Sequence, residues 1–139
     1  MTQTVEELFD SGLERYKAGE SVETLIPVFQ EVCDRSKKAS AAWTCLSWLY
    51  LLADKPAAAL TTAQKAVKLN PQDPQARINL ALAMLDTKKA GVRPHVEIAQ
   101  QICMAVSELQ DEVMNNIEDG LTRKPNWKSM ERVKQWLTE

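Results

Sequence analysis

Three thiols, one imidazole and three adjacent carboxylate pairs are the side chains of this 139-residue chain whose types could do chemistry. Cys33, Cys45 and Cys103 are odd in number and far apart, so neither a CxxC redox pair nor a zinc-ligand spacing exists. His95, the single histidine, cannot complete a metal site with them. Each cysteine falls on an apolar helix stripe, as expected of small buried thiols in a reducing compartment. His95, beside Pro94, has no sequence neighbour that would make it a base. The carboxylates of Glu6-Glu7, Asp111-Glu112 and Glu118-Asp119 are consecutive, so on a helix they diverge rather than converge on a substrate. Ser11-Gly12 and Asp119-Gly120 stand alone, with no GxSxG, phosphate loop or HExxH around them. The expectation is a chain that is not an enzyme and holds no metal or cofactor. A catalytic centre would have to be assembled from residues distant in sequence.

Charge narrows the partners. The formal net charge is -2, with Lys and Arg scattered among Asp and Glu. The close basic groups, Arg35-Ser36-Lys37-Lys38 and Arg123-Lys124, are short and read as solvated helix ends, so no nucleic acid is expected. The start, Met1 to Glu7, has neither the basic residues nor the apolar run of an export signal. The longest apolar stretch, Ala39 to Ala53, is broken by Ser40, Thr44 and Ser47 and is too short for a bilayer. A cytoplasmic protein without direct membrane insertion is expected.

The elements that would position these side chains are all helical. Thr4 with Glu7 forms a capping-box pattern ahead of Leu8, Phe9, Leu13 and Tyr16 at helical spacing. Ala18-Gly19-Glu20 makes a turn, and Ser21 can cap a second helix carrying Val22, Leu25, Ile26, Phe29 and Cys33, with a kink expected at Pro27. A third helix begins near Ser40 with Trp43, Leu46, Leu49 and Tyr50. Asp54-Lys55-Pro56 breaks it, and a fourth runs through Ala59, Leu60, Ala63, Ala66 and Val67. Asp73 and Pro74 cap and start a fifth, with Ala76, Leu80, Ala81 and Met84 inward. A polar loop, Lys88 to Pro94, follows. The pattern from Val96 to Leu121 fits two helices or one long one, and a last helix carries Met130, Val133, Trp136 and Leu137. Strict period-two alternation is absent, so no strand is expected.

At an offset of 34 residues Ala42 meets Ala76, Leu46 meets Leu80, Ser47 meets Ala81 and Tyr50 meets Met84, with Trp43 against Arg77 as the mismatch. Ser40 to Asp73 places Trp43, Leu46, Ser47 and Tyr50 on one helix, Ala59, Ala63 and Ala66 on the next, and Pro71 before the following repeat. In this pattern the chain resembles the tetratricopeptide repeat family. Small residues sit where two antiparallel helices cross closely, and hairpins must stack because one cannot bury its apolar side alone. The likeness is weaker at 5–38, where Gly12 and Gly19 fit but Thr24 and Val28 do not. It is weaker again at 74–109, where the loop is about five residues too long and Ile98, Ile102 and Ala105 take the motif places. Residues 110–139 look like terminal capping helices. The expected fold is therefore one all-α domain over 1–139, a right-handed superhelical stack of about three hairpins plus capping helices.

The resemblance implies a concave face built from the first helix of each repeat. On this chain it would hold Phe9, Asp10, Leu13, Tyr16 and Lys17, then Thr44, Cys45, Trp48, Leu51 and Leu52, then Gln75, Ile78, Asn79, Leu82 and Leu85. Phe9, Leu13, Tyr16, Thr44, Trp48, Leu51, Leu52, Gln75, Asn79 and Leu82 are the expected partner-binding residues. Trp48, Leu52 and Leu82 would form an exposed apolar patch, rimmed by Gln75 and Asn79 for a partner's backbone. The competing expectation buries Trp48 under a returning C-terminal helix, and Trp127 and Trp136 are expected to pack that helix on the preceding hairpin. A clamp for chaperone-tail carboxylates is not expected: Asn79 stands in one clamp place, but Phe9, Leu13 and Thr44 stand where basic or amide residues belong. The implied function is a non-catalytic scaffold or assembly factor that grips an apolar or helical segment of a partner protein. The alternative is a constitutive subunit or homodimer using the same patch.

Overall fold

The computed structural model describes residues 3–139; Met1 and Thr2, the first two residues of the stretch read above as lacking an export signal, lie outside the described residues. Eight helices and no strand make up the described residues: α1 (Val5–Lys17), α2 (Val22–Arg35), α3 (Ser40–Leu52), α4 (Pro56–Leu69), α5 (Pro74–Asp86), α6 (Arg93–Ala105), α7 (Ser107–Arg123) and α8 (Lys128–Leu137). Each of the first six packs on its sequence neighbour, so the chain is an all-helical stack of antiparallel hairpins.

Local chemistry starts and stops these helices. The Thr4–Glu7 capping box is present in both directions, at 3.1 and 3.0 Å. Asp73 accepts from the Gln75 amide at 2.9 Å, with Pro74 in the first turn. Ser21 occupies the N-cap of α2 but makes no cap bond, because its hydroxyl donates to Glu23 instead. Pro27 lies inside α2 on its exposed side, where its missing amide costs least. The turns after α1, α3 and α5 are copies of one another. In each a left-handed residue (Gly19, Asp54 or Lys88) donates to the carbonyl three residues back, and the next amide donates to the carbonyl five back. This double bond pattern satisfies the free carbonyls of a helix end.

Close crossings use small residues as the 34-residue pattern predicts. Ser47, Ala59, Ala63, Ala66, Ala76 and Ala81 are completely buried. At the α1–α2 crossing a side chain on Gly12 would meet the Phe29 ring at 2.8 Å. One apolar cluster joins α1, α2 and α3 around Leu25, Phe29 and Leu46, and a larger one joins α3 through α8 around Ile78, Leu82, Ile117 and Met130.

The segment 96–121 resolves into two helices. Val106 adopts an extended conformation (φ -133°, ψ 101°) between them, with no glycine or proline to announce it. A single helix from Arg93 to Arg123 would be about 46 Å long and would leave the stack behind. The break lets α6 bury Val96, Ala99 and Cys103 while α7 returns to bury Val113, Ile117 and Gly120. The loop before α6 is shorter than expected: α6 begins at Arg93, and Val92 is buried, which pins the connection.

Candidate functional site

The first helices of the three hairpins, α1, α3 and α5, turn one side toward a common concavity, and α7 lies across part of it. Its position is fixed by a chain of polar contacts. The Trp48 indole N–H donates to the Tyr16 hydroxyl oxygen at 2.9 Å, and that hydroxyl donates in turn to Asp119. Arg123 donates through Nε to both Asp119 oxygens, at 3.0 and 3.1 Å, donates to the Tyr16 carbonyl at 3.0 Å, and stacks 3.9 Å over the Tyr16 ring. Burial and the Asp119 bond raise the Tyr16 pKa, so the phenol stays protonated and keeps donating. Lys124 donates to the Leu51 carbonyl at the end of α3 and pairs with Asp54 at 2.6 Å. Trp127 packs on Trp48 with ring centroids 5.9 Å apart and the rings tilted by 47°, and its indole N–H reaches Asp86. Gly120 makes this approach possible: a side chain there would sit 2.7 Å from the Trp48 ring.

Burial of Trp48 corrects the expectation of an exposed apolar patch. Trp48 retains 9% exposure, Leu51 1% and Leu82 none, and Leu52 is half-buried against the same cluster. Trp48 is covered by the chain's own Gly120 and Trp127, and only an edge of it is left toward the cleft. Trp127 is buried as packing residue, and half-buried Trp136 lies between the guanidinium groups of Arg93 and Arg132.

The rest of the concavity stays open as a cleft of about 490 Å³. Leu13, Tyr16, Thr44, Trp48, Gln75 and Asn79 line it, together with Lys17, Cys45, Phe29 and Leu49. Phe9 does not line it; its ring packs edge-on against Phe29 at 5.8 Å, behind the floor. Asn115, Asn116, Asp119 and Arg123 of α7 form the far wall. Sequence reasoning placed none of these four at the site, because their register depends on the break at Val106; Gly120, a glycine inside a helical pattern, was the available signal. An amide ladder crosses one end. Asn116 donates to Gln75 at 3.0 Å, Gln75 to Asn79 at 2.8 Å, and buried Asn79 to the Thr44 carbonyl and the Ser47 hydroxyl at 3.0 and 3.1 Å.

Reactive groups here are held quiet. Burial pushes the Cys33 and Cys45 thiols up to about 12 and raises Cys103, so all three remain protonated near neutrality. His95 Nδ1 accepts from the Arg77 guanidinium at 3.0 Å, and burial together with that cation depresses its pKa. Among the described residues no group of three or more His, Cys, Asp and Glu side chains is placed to hold a metal, and no helix is long and apolar enough to cross a membrane. The arrangement offers an apolar floor, amide donors and acceptors, and an ion-paired wall, which is chemistry for holding a segment of chain.

Residues 40–83, covering α3, α4 and most of α5, match the tetratricopeptide repeat family model. Over that segment the chain is similar to tetratricopeptide repeats, and the fold around it is a helical repeat stack of the same kind. No curated protein matches it significantly in sequence. Among solved structures it is similar to the type III secretion translocator chaperone SycD of Yersinia enterocolitica (TM-score 0.71, 18% identity, 97% of this chain and 95% of that chain). It is similar also to the TPR2B domain of yeast Sti1 in its complex with pHsp70 (TM-score 0.69, 13% identity, 96% and 95%). A chain of a T3SS complex from Aeromonas hydrophila is comparable (TM-score 0.69, 20% identity, 91% and 86%). At these identities the likeness is one of fold.

Proposed function

We propose that the chain is a non-catalytic interaction module that holds a segment of a partner protein in the cleft between α1, α3, α5 and α7. The observation that carries this reading is the cleft itself: an apolar floor of Leu13, Tyr16, Cys45 and Leu49 beside the Gln75–Asn79–Asn116 amide ladder. Side-chain amides can bond an extended backbone while the floor takes an apolar side chain. Because α7 fills the Trp48 side of the concavity, the open part suits an extended stretch with one or two apolar anchors better than a whole helix. The similar folds of a translocator chaperone and of a domain complexed with pHsp70 support a role in gripping other proteins, as a scaffold or assembly factor.

The test uses Asn116→Trp. Asn116 is exposed at the cleft mouth, so the variant obstructs the cleft without disturbing the core. A partner captured by the wild type and reconstituted as a purified binary complex is expected to bind Asn116→Trp at least about tenfold more weakly, a loss of roughly 1.4 kcal/mol. Equal binding by both would remove the cleft from the interface. Light scattering on the unliganded wild type separates the homodimer alternative, in which a second copy supplies the segment.

A further inference from the structure

The rim of the cleft carries charge that its floor lacks. On α1 the lining residues Leu13 and Lys17 are four apart, and the same stripe continues toward the N-terminus through Asp10 and Glu6, three and seven residues before Leu13. On α7 the lining residues Asn115, Asn116 and Asp119 continue the same way through Glu112 and Glu108. All four carboxylates are exposed, and none has an ion-pair partner among the described residues. The two walls meet at the Tyr16–Asp119–Arg123 contact, close to the C-terminal ends of both helices. Measured along the helix axes from that contact, Asp10 lies about 9 Å away and Glu112 about 10 Å away, and Glu6 and Glu108 each lie about 15 Å away or slightly more. The two helix stripes that line the cleft therefore each carry on into a pair of exposed, unpaired carboxylates. The wall cations that could neutralise them are committed elsewhere, Arg123 to Asp119 and Arg15 to Glu20, which leaves Lys17.

We infer that the occupant of this cleft is a cationic protein segment, an extended stretch whose apolar side chain enters the floor and whose flanking Lys or Arg side chains meet Asp10 and Glu6 of α1 or Glu112 and Glu108 of α7. This deepens the interaction function proposed above and rests on it. The floor supplies affinity by removing apolar surface from water. The carboxylates choose the partner: unpaired negative charge on both helices attracts cations, raises the association rate and repels an acidic segment. Their exposure makes the effect sensitive to salt.

Selection from a random library of displayed twelve-residue peptides on the full chain tests this directly, with the peptides standing in for the partner segment. The expected result is enrichment of peptides in which Lys or Arg flanks an apolar residue. A synthetic, fluorescently labelled copy of the best should bind the Asp10→Lys/Glu112→Lys variant at least about tenfold more weakly than wild type and lose affinity as salt rises. Circular dichroism confirms that this variant, altered only at exposed positions, is folded. Neutral or acidic peptides that bind wild type and lose affinity for Asn116→Trp would overturn the cationic inference while leaving the cleft as a binding site. Peptides indifferent to Asn116→Trp, or an empty selection, would remove the cleft as a peptide site and this inference with it. A concentration-dependent dimer abolished by Asn116→Trp and unaffected by Asp10→Lys/Glu112→Lys would give the cleft to a second copy of the chain and overturn the cationic inference.

Discussion

Trp48 shows how one side chain decides what a surface is for. On its helix it looks like a surplus aromatic; in the fold it donates to Tyr16, packs on Trp127 and lies under Gly120. Two substitutions measure that role. Trp48→Ala should cost about 3–5 kcal/mol, the range for emptying a buried aromatic site, read as a fall in the urea midpoint. Gly120→Ala is the sharper case. On a free helix surface this change would stabilise by about 1 kcal/mol, yet here the new carbon meets a ring that Trp127 holds from the other side. A loss of about 1–3 kcal/mol is expected in the same measurement. His95 gives a pH signature. Its folded-state pKa is below the ordinary 6.5, so the folded chain binds fewer protons than the unfolded one beneath that value. Its contribution is present above about pH 6.5 and is lost as pH falls through the depressed value. Melting temperature should therefore decline as pH falls below about 6.5, and His95→Gln should flatten that decline. Glu20, drawn down to about 2 by Arg15 and Thr24, loses its contribution only from about pH 4.5 downward and is screened by solvent, so it does not confuse the reading.

The helices themselves were largely legible in the sequence. The capping box at Thr4, Asp73-Pro74 and Asp54-Lys55-Pro56 are signals within a few residues, and each lies where its local chemistry requires. The turns were less legible, since two of the three left-handed positions are filled by Asp54 and Lys88 rather than glycine. Lys88 is exposed, so its side chain gains nothing there to offset the strain of positive φ. Lys88→Gly should stabilise by about 0.5–1 kcal/mol, seen as a rise in melting temperature of a few degrees. The break at Val106 was left open, since the pattern there fits two helices or one. Its amide still bonds the Ile102 carbonyl, and nothing in its type ends a helix; the turn exists because α6 and α7 each have an apolar side that only a fold-back can bury.

At the scale of the molecule, the repeat pattern accounts for one wall of the cleft and not for the wall opposite it. Leu13, Tyr16, Thr44, Gln75 and Asn79 converge because stacked hairpins place equivalent positions side by side. The opposite wall comes from α7, outside the repeat pattern, and periodicity within the repeats holds no information about it. That wall leaves a shorter cleft than the repeats alone imply, and the proposed occupant is accordingly a cationic extended segment in place of the apolar or helical one. Hydrogen exchange along the chain, compared free and with a selected cationic peptide bound, tests this most directly. Slower exchange in the N-terminal halves of α1 and α7 and around Thr44 to Leu49, with α2, α4 and α6 unchanged, is the predicted result. Protection confined to α2, α4 or α6 would contradict it, placing the partner on the opposite side of the stack.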